Sequence, residues 1–113
     1  MTRGKKETAG KLRWDLLPLG PLEEVVKVYT YGSIKYDDWN WYKGLSYSEC
    51  FAAMFRHIKK YSWEKEVIDK ENHAHHLASV AFYCLCLITF DSEKRPKLDD
   101  RIKMYASKVL KNN

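Results

Sequence analysis

The chain lacks the short signatures of several large enzyme classes. It has no GxxxxGK[ST] loop to cradle phosphates, no GxSxG turn to present a nucleophilic serine, and no CxxC pair for a zinc ribbon. Nor does it contain the His-Asp dipeptide that metal-dependent phosphohydrolases of the HD type use, so any such site would have to be assembled differently. Cysteine is scarce: Cys50, Cys84 and Cys86 form an odd set in a chain that does not begin like a secreted one, and free thiols in a reducing cytoplasm are expected. Cys84 and Cys86 are two apart on an expected helix and point to different faces, which makes them core thiols before a metal pair. The apolar run from Leu77 to Phe90 is too short to span a bilayer and reads as a buried helix, so no membrane segment is expected. There is no internal repeat and no low-complexity tract.

The 113 residues suffice for one core and not for two. The net charge of +5 comes mostly from the ends, from Arg3, Lys5, Lys6, Lys11 and Arg13 and again from Lys94 to Lys111. This excess favours phosphate-bearing partners, but on its own makes nucleic acid the lesser expectation.

Residues 1–13 are polar and basic and read as a flexible arm able to order on a ligand. Residues 14–113 form a single helical domain. The apolar segment Trp14 to Leu19 is expected to pack in extended form. Gly20-Pro21 followed by Glu23 and Glu24 starts a helix that turns Leu22, Val25, Val26 and Tyr29 inward and ends near Gly32. The aromatic stretch Lys35 to Gly44 has turn chemistry. Ser46 and Glu49 have capping-box spacing for a second helix from Tyr47 to about Tyr61, with Phe51, Met54, Phe55, Ile58 and Tyr61 as its apolar stripe. A polar linker, Glu64 to Asn72, precedes a central helix from His73 to Phe90. Leu98 to Leu110 reads as a fourth, amphipathic helix suited to capping the bundle or to a subunit contact. The expected fold is therefore all-α, a compact bundle of about four helices with a flexible N-terminal arm.

Charged and imidazole groups on core helices are costly to desolvate, so Arg56-His57 and His75-His76 stand out on two apolar helices. His76, Ser79 and Tyr83 lie along one helix face, where they need polar partners, and Arg56 and His57 of the preceding helix are candidates. The competing reading is a satisfied polar core network. Glu23 and Glu24 are the first carboxylates to consider for a divalent metal, with Glu66 and Asp69 next; hard cations want such oxygen ligands, whereas histidines favour zinc, manganese or iron. Glu23 and Glu24 are also explained by the helix dipole alone. Trp41, with Trp39, Tyr36 and Tyr42, offers stacking faces for a base, and Lys35, Lys43 and Arg56 offer charge to phosphates.

Taken in order, Gly10-Lys11-Leu12-Arg13-Trp14-Asp15-Leu16-Leu17-Pro18, Gly32-Ser33-Ile34-Lys35-Tyr36, Asn40-Trp41 with Lys43-Gly44, Arg56-His57, and His75-His76-Leu77-Ala78 resemble a small family common in bacteriophages. Its members are labelled dATP/dGTP diphosphohydrolase (N-terminal type) or MazG-like. The resemblance spans about residues 10 to 90. It implies an all-helical protein of a phage-infected bacterial cytoplasm that acts on purine deoxynucleoside triphosphates. MazG-type pyrophosphatases carry an EExxE motif, whereas here Glu23-Glu24 is followed by Val25, Val26 and Lys27; their later ExxD motif has one literal match, Glu66 to Asp69, within the polar linker.

The resulting expectation is a pyrophosphohydrolase that converts a (d)NTP to (d)NMP and pyrophosphate, using Mg²⁺ or Mn²⁺. Glu23 and Glu24 are the expected catalytic residues, and these two with Glu66 and Asp69 the expected metal ligands. Lys11, Arg13, Lys35, Tyr36, Asn40, Trp41, Lys43, Arg56, His57, His75 and His76 are expected to bind substrate. A homo-oligomer is expected. The alternative is a non-catalytic nucleotide-binding protein that sequesters a nucleotide signal.

Overall fold

A computed structural model describes residues 2–101 of the protein. Among them are three α-helices, α1 (Leu19–Lys35), α2 (Tyr47–Ser62) and α3 (His76–Ser92), with 3₁₀ turns at Trp14–Leu16, Asn40–Lys43 and Pro96–Leu98, and no strand beyond one isolated bridge between Ile68 and His75. The described residues are all-α with three helices; Leu98, where the expected fourth helix begins, ends a 3₁₀ turn, and most of that helix lies outside the described residues. No helix among the described residues is long and apolar enough to cross a membrane.

The starts of α2 and α3 follow from local chemistry. The Ser46 side chain accepts the Glu49 amide at 3.3 Å, the first half of a capping box. Asp100 adds a second cap to α2, accepting from the Ser48 amide at 2.8 Å and the Ser48 hydroxyl at 2.5 Å. α3 begins at His76 and not at His73, because the His75 imidazole accepts the Leu77 amide at 3.0 Å and so acts as the N-cap. α1 runs through Gly32 to Lys35.

α2 lies antiparallel against α3, with Tyr47 facing Phe90 at one end (ring centroids 6.4 Å) and His57 facing His76 at the other (5.1 Å). The α2 residues buried in this contact are Tyr47, Cys50 and Ala53. This corrects the expected stripe: small side chains let the two helices approach, and Phe55, Ile58 and Tyr61 are left exposed. α1 packs on α3 through Val25 and Val28 against Ala74, Ala78 and Phe82. Val26, expected inside, is 57% exposed, since a contact face centred on Val28 places a residue two positions away about 200° around the helix. Phe90, Cys86 and Tyr47 make a second core cluster, with Trp41, Leu45 and Leu98 packed on it, and Phe82 belongs to both.

Trp14 to Leu19 does not pack in extended form. It makes a 3₁₀ turn beside the Arg13–Asp15 ion pair (2.8 Å), and Trp14, Leu16 and Leu19 stay exposed. The aromatic connector roofs the α1/α3 side, Trp41 meeting Tyr29 (5.8 Å) and Phe90 (6.3 Å). Gly44 closes it at φ +122°, a backbone that disfavours side chains, with a Leu98 methyl only 3.0 Å from where a Cβ would stand.

Candidate functional site

The polar linker between α2 and α3 is an ordered loop that carries the chemistry. Its two ends are tied by main-chain bonds, Asp69 amide to Ala74 carbonyl (2.8 Å) and His76 amide to Val67 carbonyl (2.9 Å). His73, at φ +61°, makes the turn. Within the loop the Glu71 amide donates to Asp69 Oδ1 at 2.8 Å, which leaves Oδ2 directed at two imidazoles. It lies 3.8 Å from His57 Nδ1 and 4.0 Å from His76 Nδ1. The two Nδ1 atoms are themselves 2.8 Å apart.

With both rings neutral, one proton arrangement satisfies this group. His76 is 1% exposed, and its Nε2 lies 3.0 Å from Glu66 Oε2. A carboxylate can only accept, so Nε2 carries the hydrogen and Nδ1 presents a lone pair; His57 Nδ1–H then donates to it. The bond from His76 is the main cause that holds the Glu66 carboxyl below its ordinary pKa. Burial pushes His57 below its ordinary value, against the pull of Asp69, so its neutral form is favoured.

His57, Asp69 and His76 offer ligand atoms within 4.8 Å of one another and could hold a metal ion. The geometry fits: two nitrogen ligands about 2.1 Å from one ion at right angles stand about 3.0 Å apart, close to the spacing between the two Nδ1 atoms. Glu66 behind His76 completes the carboxylate–imidazole arrangement that fixes the ring tautomer in metal sites. Moving the His57 proton from Nδ1 to Nε2, a change of tautomer with no net loss of a proton, would free both Nδ1 lone pairs.

His57 and Asp69 also line a cavity of about 920 Å³ between the three helices and the aromatic connector. Near the histidines its wall is polar, with Arg56, Lys35, Glu71 and Asn72; further along it is Tyr29, Trp41, Phe82 and Tyr83. Glu71 accepts from Lys35 Nζ at 2.8 Å and from the Tyr31 hydroxyl at 2.9 Å, which holds its carboxyl low and lifts Lys35 to about 12. Burial raises Tyr29 to about 12, Cys50 to about 11 and Cys86 to about 12, so these groups stay neutral, and all three cysteines are free thiols.

Of the expected substrate-binding residues, Lys35, Tyr36, Asn40, Trp41, Arg56 and His57 line this cavity. His76 lies behind its wall, paired with His57, and His75 caps α3 with its ring against Tyr61 (5.1 Å). Lys43 pairs with Asp37 at 3.0 Å, and Arg13 with Asp15. Lys11 is exposed on residues 2–13, which form no helix or strand. Of the expected metal ligands, Asp69 belongs to the cluster and Glu66 stands one bond behind it. Glu24 accepts the His75 amide at 2.9 Å and pairs with Lys27 at 2.6 Å, while Glu23 is exposed. The expected polar line of His76, Ser79 and Tyr83 is present, with His57 as partner of its first member. The Glu71 contacts were not foreseen; its place beside Asp69 in the linker was the available signal.

Searches of curated proteins and of solved structures find no match. The family model described as dATP/dGTP diphosphohydrolase, N-terminal, matches residues 1–101, and the chain belongs to that family.

Proposed function

We propose that the protein is a metal-dependent nucleotide pyrophosphohydrolase that takes a purine (deoxy)nucleoside triphosphate to the monophosphate and pyrophosphate. The observation that carries this reading is the His57–Asp69–His76 group at the polar end of a cavity whose other end is aromatic. Two imidazoles and one carboxylate suit Mn²⁺ or a related transition ion better than Mg²⁺, which prefers oxygen ligands throughout. A bound ion would polarise the phosphates and lower the pKa of an attacking water.

The chain's own residues do the rest. Arg56 and Lys35 supply positive charge to the triphosphate, arginine suiting bidentate contact with phosphate oxygens. Glu71 fixes the Lys35 ammonium through a short ion pair. Glu24, through the His75 amide, anchors the start of α3 and so the position of His76. The aromatic rings exclude water and offer faces to the base. Residues 14–113 serve as the nucleotide-binding unit, with the basic arm free to close on a bound triphosphate.

Purified protein with Mn²⁺ is expected to release pyrophosphate from dATP or dGTP, and His57→Ala is expected to abolish it. No release from any purine nucleotide would overturn the proposal. The non-catalytic alternative draws support from the single carboxylate in the cluster; tight binding with recovery of intact nucleotide is its expected result. Glu24→Gln tests the catalytic role first assigned to Glu23 and Glu24, because loss of turnover with Mn²⁺ affinity unchanged is expected only of a residue in the chemistry. A homo-oligomer is supported by apolar side chains left outward on α2 (Phe55, Ile58) and α3 (Leu77, Leu85, Ile88), and light scattering reads it directly.

A further inference from the structure

Ser79 is 2% exposed, lines the cavity, and its hydroxyl has no hydrogen-bond partner. Other hydroxyls on these helices are satisfied by their own backbone: Thr30, Ser62, Thr89 and Ser92 each donate to the carbonyl four residues back, at 2.7 to 2.9 Å. Ser79 departs from that pattern. A buried hydroxyl left unpaired is costly, and such a group on a cavity wall marks where a ligand's polar atom completes it.

Its position identifies which part of the ligand. Ser79 lies three residues after His76, so the two share a face of α3 and are about 4.5 Å apart along its axis. Phe82 and Tyr83 follow one turn later, with Tyr29 packed on Phe82 at 4.7 Å and Trp41 beside Tyr29. On the antiparallel α2, Ala53 precedes His57 by one turn and also lines the cavity. Along α3 the cavity therefore presents the metal-binding group, then a lone hydroxyl, then aromatic faces, the order of phosphate, sugar and base in a nucleotide.

We propose that Ser79 binds the sugar hydroxyl of the nucleotide, which in a deoxynucleotide is the 3′-hydroxyl. The assignment rests on the nucleotide reading given above. It places the base against Tyr29, Trp41 and Phe82.

The test is calorimetric titration of the Mn²⁺-loaded protein with a dATP analogue carrying a methylene between the α and β phosphates, and with its 3′-deoxy counterpart. The native protein is expected to bind the 3′-hydroxyl compound about tenfold more tightly. Ser79→Ala is expected to erase that ratio while leaving Mn²⁺ affinity unchanged; Ser79→Cys, of similar volume, is read in the same way if the alanine variant is unstable. A ratio that survives in the variants, or a native protein indifferent to the 3′-hydroxyl, overturns the assignment. Native protein that binds Mn²⁺ but neither analogue overturns the nucleotide reading itself and this assignment with it.

Discussion

Removing the Glu66 carboxylate should weaken metal binding although Glu66 is not itself among the three proposed ligands. Its Oε2 accepts from Nε2 of His76 at 3.0 Å, and that bond is what leaves Nδ1 bare and facing Asp69 and His57. In Glu66→Ala the Nε2–H of a ring 1% exposed has no protein partner, at a cost of about 1–3 kcal/mol to the metal-free fold. The ring is then free to put its proton on Nδ1, the atom the metal needs. Carboxylates behind ligating histidines are worth about 10–100-fold in metal affinity, or roughly 1.4 to 2.7 kcal/mol. Glu66→Gln should fall between the native protein and the alanine variant, since its amide oxygen still accepts but carries no charge. The measurement is Co²⁺ or Mn²⁺ titration of the three proteins, followed by visible absorption or calorimetry, with thermal unfolding of the metal-free forms alongside. Equal affinities in all three would refute the tautomer argument and, with it, the use of His76 through Nδ1.

Three further outcomes follow from the packing and charges. Phe90→Ala should destabilise the protein by about 3–5 kcal/mol in chemical denaturation, because Phe90 is wholly buried where α2, α3 and Trp41 meet. Gly44→Ala should cost about 1–3 kcal/mol, from backbone strain at φ +122° and the Leu98 methyl at 3.0 Å, and should lower the unfolding temperature. Lys35→Met should raise the Glu71 pKa toward its ordinary 4.5 in a carboxyl NMR titration while leaving it lowered by Tyr31. Because the folded-state value is depressed, the stabilisation from this carboxylate is present above pH 4.5 and is lost as the pH falls through the folded value, and the variant should lose less on acidification.

The sequence was most legible where local chemistry decides structure. The Ser46 cap, the buried run of α3 and the shared face of His76, Ser79 and Tyr83 all follow from spacing alone, and the ordered family motifs named the family. Periodicity placed Val25 and Tyr29 of α1 and Phe51 of α2 inward correctly, but it also turned Val26, Phe55, Ile58 and Tyr61 inward, because it favours large side chains. The contact with α3 also uses Val28, Cys50 and Ala53, which only the mutual approach of the helices selects. The His57–Asp69–His76 group was illegible as a set because its three members are separated by loop residues. In the sequence Asp69 stands with Glu23, Glu24 and Glu66 as a carboxylate ligand for a hard cation, while the histidines read as substrate contacts or as ligands for a softer ion. Only the loop bonds from Asp69 to Ala74 and from His76 to Val67 bring an acid from the first list to imidazoles from the second.

The most direct test is pulsed electron paramagnetic resonance on the Mn²⁺-loaded protein, which detects ¹⁴N nuclei bound to the ion. The expected spectrum shows two imidazole nitrogens, one lost in His57→Ala and one in His76→Ala, with both retained in Glu24→Gln. An ion with oxygen ligands only, or nitrogen signals that persist in both histidine variants, would contradict a metal held by His57, Asp69 and His76.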